Sequence, residues 1–179
     1  MNVSHLIKQK PYEKVIMTLH RHYTAFLPKV FLLLLLLIVP IVTYFLINGL
    51  FPSILQTTYT RTALVLLGSA YYLYIILLFF YQFMLFYLDM WVLTNDRLID
   101  LEQKGLFHRV ISEVDLFQIQ DSTSEIKGFF ASAFNFGDIY IQTAGKISRF
   151  IIFHAYDPDN VRQLILNLAA EDKKFHNKQ

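Results

Sequence analysis

Four side chains in the second half of the chain have the chemistry that general acid–base catalysis uses, namely His108, Glu113, Asp138 and His154. Their sequence settings are ordinary for a structural domain. His154 ends a predicted strand and His108 follows a turn, while both carboxylates fall on the outer face of alternating stretches, where solvated charge is the usual explanation. The sequence therefore predicts no catalytic residue, and we expect that the protein is not an enzyme.

Metal and cofactor sites are also not expected. The chain has no cysteine, which excludes disulfides, thiolate nucleophiles and cysteine-based zinc or iron–sulfur centres. His20 and His22 would point to different sides of a helix, and Glu13 is the nearest carboxylate. The turn glycines are isolated and form no phosphate-binding loop; they are Gly105, Gly128, Gly137 and Gly145. We therefore predict neither a bound metal nor a cofactor.

Two long stretches without a charged side chain dominate the first half of the chain, at residues 30–50 and 62–88. A helix rises about 1.5 Å per residue, so the shorter stretch covers roughly the 30 Å thickness of a bilayer core. A secretory signal would have a shorter apolar core and a small-residue cleavage site. The sequence therefore predicts a transmembrane hairpin over residues 30–88.

Two features of this hairpin concern how its helices pack. Pro40 removes the hydrogen bond to the Leu36 carbonyl, a defect that a neighbouring helix or a hydroxyl can compensate, and Thr43 is a local candidate donor. A small-residue patch at residues 68–70 is expected to pack against the first helix, with self-association as the alternative. Neither stretch has an ionisable residue in its interior. Transport is therefore disfavoured, although a pore made of many copies stays open as an alternative.

The distribution of cations predicts the orientation of the hairpin. Residues 1–29 carry five Lys and Arg against Glu13 alone, and the turn between the helices carries only Arg61. By the positive-inside rule, we expect a multi-pass inner-membrane protein with both termini in the cytoplasm.

Residues 1–29 themselves are interpreted as a basic juxtamembrane segment. Val15, Ile16 and Leu19 suggest one short amphipathic helix on the membrane surface. Cations and aromatic side chains near a first span are typical of the bilayer interface. The candidate membrane-interface residues are Lys8, Lys10, Lys14, Arg21, Tyr23, Lys29 and Trp91.

Beyond residue 88 the apolar pattern changes from helical to alternating. Asn95 and Asp96 suit a tight hairpin between the first two strands. An irregular or helical crossover is expected over residues 127–136, with its phenylalanines filling the core. The predicted strands cover residues 90–94, 97–103, 106–112, 115–121, 136–143 and 148–154.

A final helix is predicted from the residues that begin it. Asp157 is a good N-cap, Pro158 suits the first helical position, and Asp159 favours the positive end of the helix dipole. An apolar stripe at helical spacing can then close over a small sheet; it comprises Val161, Leu164, Ile165 and Leu168. We expect the domain to cover residues 89–170 and to be followed by a polar, frayed tail over residues 171–179.

The strand and helix signals of this domain resemble those of a known family. The turn Leu93-Thr94-Asn95-Asp96-Arg97, the Gly137-Asp138-Ile139 strand and the Asp157-Pro158 cap are similar in order and spacing to the bacterial pleckstrin-homology domain found behind paired transmembrane helices. The resemblance covers roughly residues 89–170. It implies an α+β membrane protein, in which a two-helix transmembrane hairpin precedes a pleckstrin-homology-like small antiparallel β-barrel or sandwich capped by a C-terminal α-helix. The family has no catalytic residues to transfer.

The resemblance also bears on ligands and partners. Pleckstrin-homology domains that bind inositol phosphates use several cations around the first hairpin, whereas here Arg97 is followed by Asp100 and Glu102, so specific phosphoinositide binding is not expected. Residues 89–179 carry 10 Lys and Arg against 13 Asp and Glu, a balance of 10 − 13 = −3 that argues against nucleic acid. Besides the lipid bilayer, the expected partner is a protein segment or a second copy.

We therefore expect a non-enzymatic integral membrane protein whose cytoplasmic domain serves as a protein-binding or self-assembly module. The alternative is a lipid-sensing or oligomeric, pore-like membrane assembly that uses the basic amino-terminal segment. A membrane enzyme is the least favoured interpretation.

Overall fold

The computed structural model describes residues 9–53, 57–144 and 149–176. The chain divides into two compact units. The helical unit is Tyr23–Phe86, and the β-rich unit combines Met1–His22 with Tyr87–Gln179. The chain therefore leaves the β-rich unit at His22 and returns to it at Tyr87.

The helical unit begins with a 3₁₀ turn, Tyr23–Phe26, followed by α1 (Leu27–Leu50). Helix α2 (Thr58–Leu88) follows and runs beyond the end of the unit. Both helices are long and apolar enough to cross a membrane. They start three and four residues earlier than the two predicted spans. The Phe26 ring lies 5.4 Å from the Phe79 ring and 5.0 Å from the Phe86 ring. These contacts join the residue before α1 to the last turns of α2.

The backbone defect at Pro40 is compensated across the two helices. The Tyr71 hydroxyl donates to the Leu36 carbonyl at 3.1 Å. Pro40 has no N–H that could donate to this carbonyl. The Tyr72 hydroxyl makes the same contact with the Leu37 carbonyl at 3.2 Å. The prediction that a hydroxyl compensates for Pro40 is confirmed, but Thr43 is not the donor, because its hydroxyl bonds to the Val39 carbonyl.

The small-residue patch does not bring the helices into close contact at Gly68. A Cβ atom placed there would meet no other atom within 4 Å. A cavity of about 470 Å³ lies between the helices at this level, lined by Pro40, Gly68 and Tyr71 among others. The expected packing of the patch against the first helix is therefore wrong at Gly68.

The β-rich unit consists of two antiparallel sheets and two helices. The first sheet has the order β1 (Val15–His20), β2 (Met90–Thr94), β3 (Arg97–Gln103) and β4 (Arg109–Asp115). The second has the order β5 (Ile119–Glu125), β6 (Phe136–Thr143) and β7 (Arg149–Tyr156). Helix α3 (Phe129–Ala133) lies between β5 and β6, and α4 (Pro158–His176) ends the unit.

Most of these elements lie where the sequence predicts them, with shifted ends. Strands β2, β3 and β6 have the predicted bounds, whereas β4 and β5 start three and four residues later because a turn and the 3₁₀ helix Leu116–Gln118 precede them. Helix α4 begins at Pro158 as predicted. It continues to His176, so residues 171–176 are helical rather than a frayed tail, and residues 177–179 lie outside the described part of the chain.

The largest correction concerns the segment before the helices. Val15–His20 is a strand that pairs antiparallel with β2, with Leu19 opposite Trp91 and His20 opposite Met90. The predicted amphipathic surface helix is therefore wrong, since Met17 and Leu19 alternate as a strand requires and Leu19 is buried. The β-rich unit thus begins before the helices rather than at residue 89.

The core of this unit lies between the sheets and under α4. Leu19, from before the helices, belongs to the same buried cluster as β2, β3, β6 and β7. The predicted stripe of α4 contributes Val161 and Ile165, with Leu164 and Leu168 partly buried at its margin. The cluster therefore joins both segments of the unit into one core.

The phenylalanines of the crossover do not fill this core. Phe129 and Phe130 are 82% and 68% exposed, and Ala131 is the buried residue of α3. A five-residue helix turns only one narrow face toward the core, and in α3 that face carries the small side chain of Ala131. The expectation that these aromatics fill the core is wrong.

Candidate functional site

Two polar clusters lie at opposite ends of β2. The first, which we call the clamp, joins the Thr94–Arg97 turn to residues 10–14. The second, which we call the acidic pocket, lies near Met90 and contains Arg21, Asp89 and Asp100. Because β1 and β2 are antiparallel, each cluster joins residues before the helical unit to residues after it.

A buried ion pair forms the centre of the clamp. Arg97 Nε and Nη2 donate to the two carboxylate oxygens of Glu13 at 2.9 and 3.0 Å. Arg97 is 8% exposed and Glu13 5%. Arg97 Nη1 also donates to Glu113, and the Lys10 backbone N–H donates to Glu13. The pair is therefore bidentate and further supported on both sides.

The contacts of Glu13 keep it ionised despite its position. Burial alone would raise the pKa of Glu13, but the hydrogen bonds from Arg97 and from the Lys10 N–H hold that pKa below its ordinary value. The hydrogen bond to Glu13 raises the pKa of Arg97 above its own ordinary value. Both groups are therefore charged at neutral pH, and their attraction offsets the cost of removing them from water.

The turn between β2 and β3 provides the rest of the clamp. Thr94 Oγ1 accepts from the Arg97 N–H and so closes the turn. Asn95 Oδ1 accepts from the Lys14 N–H at 2.6 Å, and Asp96 pairs with Lys10. The residues that carry the family resemblance at this turn therefore hold the amino-terminal segment in place.

Arg21 occupies the acidic pocket, a cavity of about 200 Å³. Its Nη2 lies 3.1 Å from an Asp89 oxygen. Its guanidinium lies 5.7 Å from the centre of the Trp91 ring and 5.8 Å from that of Phe153, distances at which a cation is attracted by an aromatic ring. The pocket thus already contains a cation from the chain itself.

Asp100 is an acid of this pocket whose pKa is raised well above its ordinary value. Burial, followed by repulsion from Glu102 and Asp89, raises the pKa of Asp100 from 3.8 to about 6, against the attraction of Arg21. Within the described residues, no group of three or more His, Asp or Glu side chains is arranged to hold a metal ion. The arrangement can therefore bind a guanidinium or exchange a proton near pH 6.

The structure separates the candidate membrane-interface residues. Lys10 and Lys14 lie in the clamp, and Lys8 is outside the described residues. Arg21 and Trp91 come together in the acidic pocket, but Trp91 is only 2% exposed. An interfacial Trp91 is therefore wrong, because its ring packs into the core beneath β2.

The remaining two candidates belong to the helical unit. Tyr23 is exposed, and Lys29 Nζ donates to Gln82 Oε1 at 2.9 Å. Their exposure to a bilayer stays a prediction.

Only two of the four acid–base candidates are brought together. The Asp138 carboxylate accepts the His154 backbone N–H at 2.8 Å and lies 3.8 Å from its Nδ1. Glu113 pairs with Arg97, while the His108 carbonyl accepts the Lys104 N–H in the β3–β4 turn. These contacts maintain turns and strand ends, and they show no shared reaction site.

Sequence reasoning missed the roles of Glu13 and Asp89. Glu13 is the only acid among the five cations of residues 1–29. A single carboxylate in a basic segment is a signal for a specific ion pair, but its partner cannot be identified from local sequence. Asp89 lies directly after an apolar run, and a carboxylate there suggests a nearby cation.

Among solved structures, the chain has a distant structural match to a protein with a pleckstrin-homology domain. No protein-family model matches the chain, and no curated protein sequence matches it. A crystal structure of a DUF1696 family protein with a pleckstrin-homology domain from Shewanella loihica PV-4 matches 45% of this chain and 70% of its own chain. The two are 21% identical, with a TM-score of 0.38.

Replacing Arg97 with methionine tests the clamp. The change leaves Glu13 buried without a counter-ion, so we expect a loss of about 3–5 kcal/mol in the free energy of unfolding of the β-rich unit. Trp91 is the only tryptophan of the chain, and its fluorescence in detergent micelles reports this unfolding. As a control, Lys10→Met breaks the more exposed pair with Asp96 and the contact of Lys10 with the Tyr12 ring, and should cost about 0–1 kcal/mol. Equal losses in the two variants would contradict the central role of Arg97.

Replacing Asp100 with asparagine tests the acidic pocket. Since the folded state keeps a proton that the unfolded state releases, Asp100 lowers stability as pH rises from about 4 to about 6, with no further loss above pH 6. We expect Asp100→Asn to stabilise the full chain by about 1–2 kcal/mol at pH 7 and by little at pH 4. The expected gain at pH 7 is smaller than the raised pKa of Asp100 alone implies, because its side chain is partly solvated. Thermal unfolding between pH 4 and 8 measures this, with the exposed Asp121→Asn as control. An unchanged pH dependence in Asp100→Asn would show that the pocket does not hold the proton.

Proposed function

We propose that the protein is a non-enzymatic integral membrane protein that presents a pleckstrin-homology-like unit in the cytoplasm as a self-assembly or protein-binding module. The open edge of β4 is the observation that carries this proposal. We further propose that the membrane is a bacterial inner membrane and that both chain termini face the cytoplasm.

The surface of the helices supports membrane insertion. No residue of α1 is buried, and Ile75 is the buried residue of α2. A continuous apolar surface of this kind is stable in lipid and would cause association in water. The pairing of β1 with β2 supports two crossings, because both ends of the inserted segment must then return to the same side of the membrane.

The topology supports the pleckstrin-homology-like interpretation. The family resemblance implies antiparallel strands closed by one C-terminal helix, and the β-rich unit has four strands, then three, then α4. The helical unit lies in the connection between β1 and β2, so the proposed membrane anchor would lie within the module rather than in front of it.

The contacts of the clamp argue against a phosphorylated headgroup as the ligand. Arg97 is buried and bound by two carboxylates, and Asp96 adds negative charge to the same turn. A phosphate site needs several accessible cations. A ligand recognised by backbone hydrogen bonds has no such need.

Strand β4 offers such backbone groups. Among the described residues, β4 pairs with β3 alone and forms the last strand of its sheet. It is seven residues long, contains no proline, and exposes 53% of Ile111. An edge strand of this length favours the addition of another strand.

The charges on β4 favour a second copy as that strand. In an antiparallel pair of two β4 strands centred on Ile111, Arg109 of one copy would lie opposite Glu113 of the other. Both side chains are on the exposed face with Ile111, and opposite charges at facing positions stabilise strand pairs. The edge is therefore complementary to itself, as a twofold interface requires.

Oxidative cross-linking through position 111 tests the proposal. Because the chain has no cysteine, Ile111→Cys should form a disulfide between two copies in native membranes, and adding Arg109→Glu should reduce that product about tenfold by placing like charges opposite each other. Val15→Cys, exposed on the other edge strand, is the matched control and should remain monomeric.

A photo-crosslinking amino acid at position 111 distinguishes the two forms of the proposal. Adducts between two copies indicate self-assembly, and adducts with one different membrane or cytoplasmic protein indicate an adaptor. Lipid adducts alone, together with no disulfide in Ile111→Cys, would contradict a protein-binding role for this edge.

A further inference from the structure

One six-residue pattern occurs twice in the β-rich unit. Residues 102–107 read Glu-Gln-Lys-Gly-Leu-Phe, and residues 125–130 read Glu-Ile-Lys-Gly-Phe-Phe. Both have Glu, any residue, Lys, Gly, a large apolar residue and Phe. The first copy begins near the end of β3, and the second begins with the last residue of β5.

The two copies have corresponding contacts and exposure. Lys104 lies 3.5 Å from Glu102, and Lys127 lies 2.8 Å from Glu125. The apolar pair that follows each lysine extends into solvent. In the first copy Phe107 is completely exposed and Leu106 more than half exposed, and in the second both Phe129 and Phe130 are largely exposed. We call residues 104–107 and 127–130 the two apolar tips.

Both tips lie near the points where the chain passes between its two units. Next to the first tip, the Gln103 N–H donates to an Asp89 carboxylate oxygen at 2.7 Å. Asp89 lies two residues after Tyr87, where the chain returns to the β-rich unit. Near the second tip, the Phe136 ring stacks on His22 at 5.2 Å, and His22 is the last residue before the helical unit.

We propose that the two apolar tips insert into the interface of the bilayer that the helices cross, so that the module is held against the membrane at two points besides its tether. This inference rests on the proposed membrane anchoring. The phenylalanine and leucine side chains enter the boundary between headgroups and acyl chains, and Lys104 and Lys127 extend toward lipid phosphates.

The chemistry of the tips favours lipid over a protein groove as the occupant. The first tip is the β3–β4 turn, and the second leads into α3 and includes its first two residues. In both, exposed apolar side chains lie next to a cation, which is the pattern of interfacial anchors. The tether also keeps a bilayer permanently within reach of both tips, so that even weak insertion is sufficient for contact.

Depth-dependent quenching of a fluorescent label tests this inference. Single cysteines replace Phe107, Phe129, Tyr12 or Leu73 in the full chain, which has no other cysteine. Each variant is labelled with an environment-sensitive dye in vesicles of phosphatidylethanolamine and phosphatidylglycerol. Tyr12 is an exposed aromatic residue beside Asp96, at the other end of β2 from Met90, and Leu73 is an exposed position on α2.

We expect nitroxide groups on the lipids to quench the labels at 107 and 129 at least about threefold more than the label at 12, and aqueous iodide to do the reverse. Lipid quenching at 73 but not at 107 and 129 would overturn the inference and leave membrane anchoring intact. Quenching by lipid at no position would overturn both. Protection from iodide at 107 and 129 without lipid quenching would mean that protein covers the tips, and would also overturn the inference.

Discussion

The buried ion pair between Glu13 and Arg97 joins the two sequence segments of the β-rich unit. It fixes the segment before β1 to the turn after β2, although the chain between β1 and β2 includes the whole helical unit. Neither charged group can be removed without a large loss of stability, because the other is then left buried and unpaired. The pair therefore holds the segment before β1 in place at the end of the sheet farthest from His20 and Met90.

The pairing register of β1 with β2 explains how two long helices can be inserted into a small sheet. His20 and Met90 are paired across β1 and β2, so the segment between them begins and ends at neighbouring positions. An inserted segment whose ends lie close together adds little strain to its host, and closing a longer loop costs only slowly increasing entropy. Arg21 and Asp89 form an ion pair directly beside this point, so both ends of β2 are held by contacts between the two segments.

Local sequence was sufficient for much of the fold. Uncharged stretches identified α1 and α2, alternation identified β2, β3 and β6, and Asp157 with Pro158 marked the start of α4. It was insufficient for β1, because Val15, Ile16 and Leu19 fit a short amphipathic helix as well as a strand, and the strand's partner lies roughly 70 residues away in sequence. Pairing over that distance is a tertiary effect that periodicity does not report.

Single residues of the polar sites could be recognised in the sequence, but the residues that lie beside them in the structure could not. Arg21 was recognised as a cation near the helices, but its neighbours Asp89 and Trp91 depend on the β1–β2 register. Trp91 was expected at the bilayer surface because tryptophan is common there, yet the alternation of β2 directs it into the core. Phe129 illustrates the opposite error, an aromatic expected inside and found outside.

Disulfide formation across β1 and β2 tests the central claim most directly. In the otherwise cysteine-free chain, Thr18→Cys with Val92→Cys places two thiols on directly paired residues, within the distance that a disulfide spans. Thr18→Cys with Ile99→Cys places them two strands apart, roughly 9–10 Å and out of reach. We predict rapid oxidation of the first pair by diamide in native membranes and none of the second. Equal, slow oxidation of both pairs would contradict a sheet built across the helical unit.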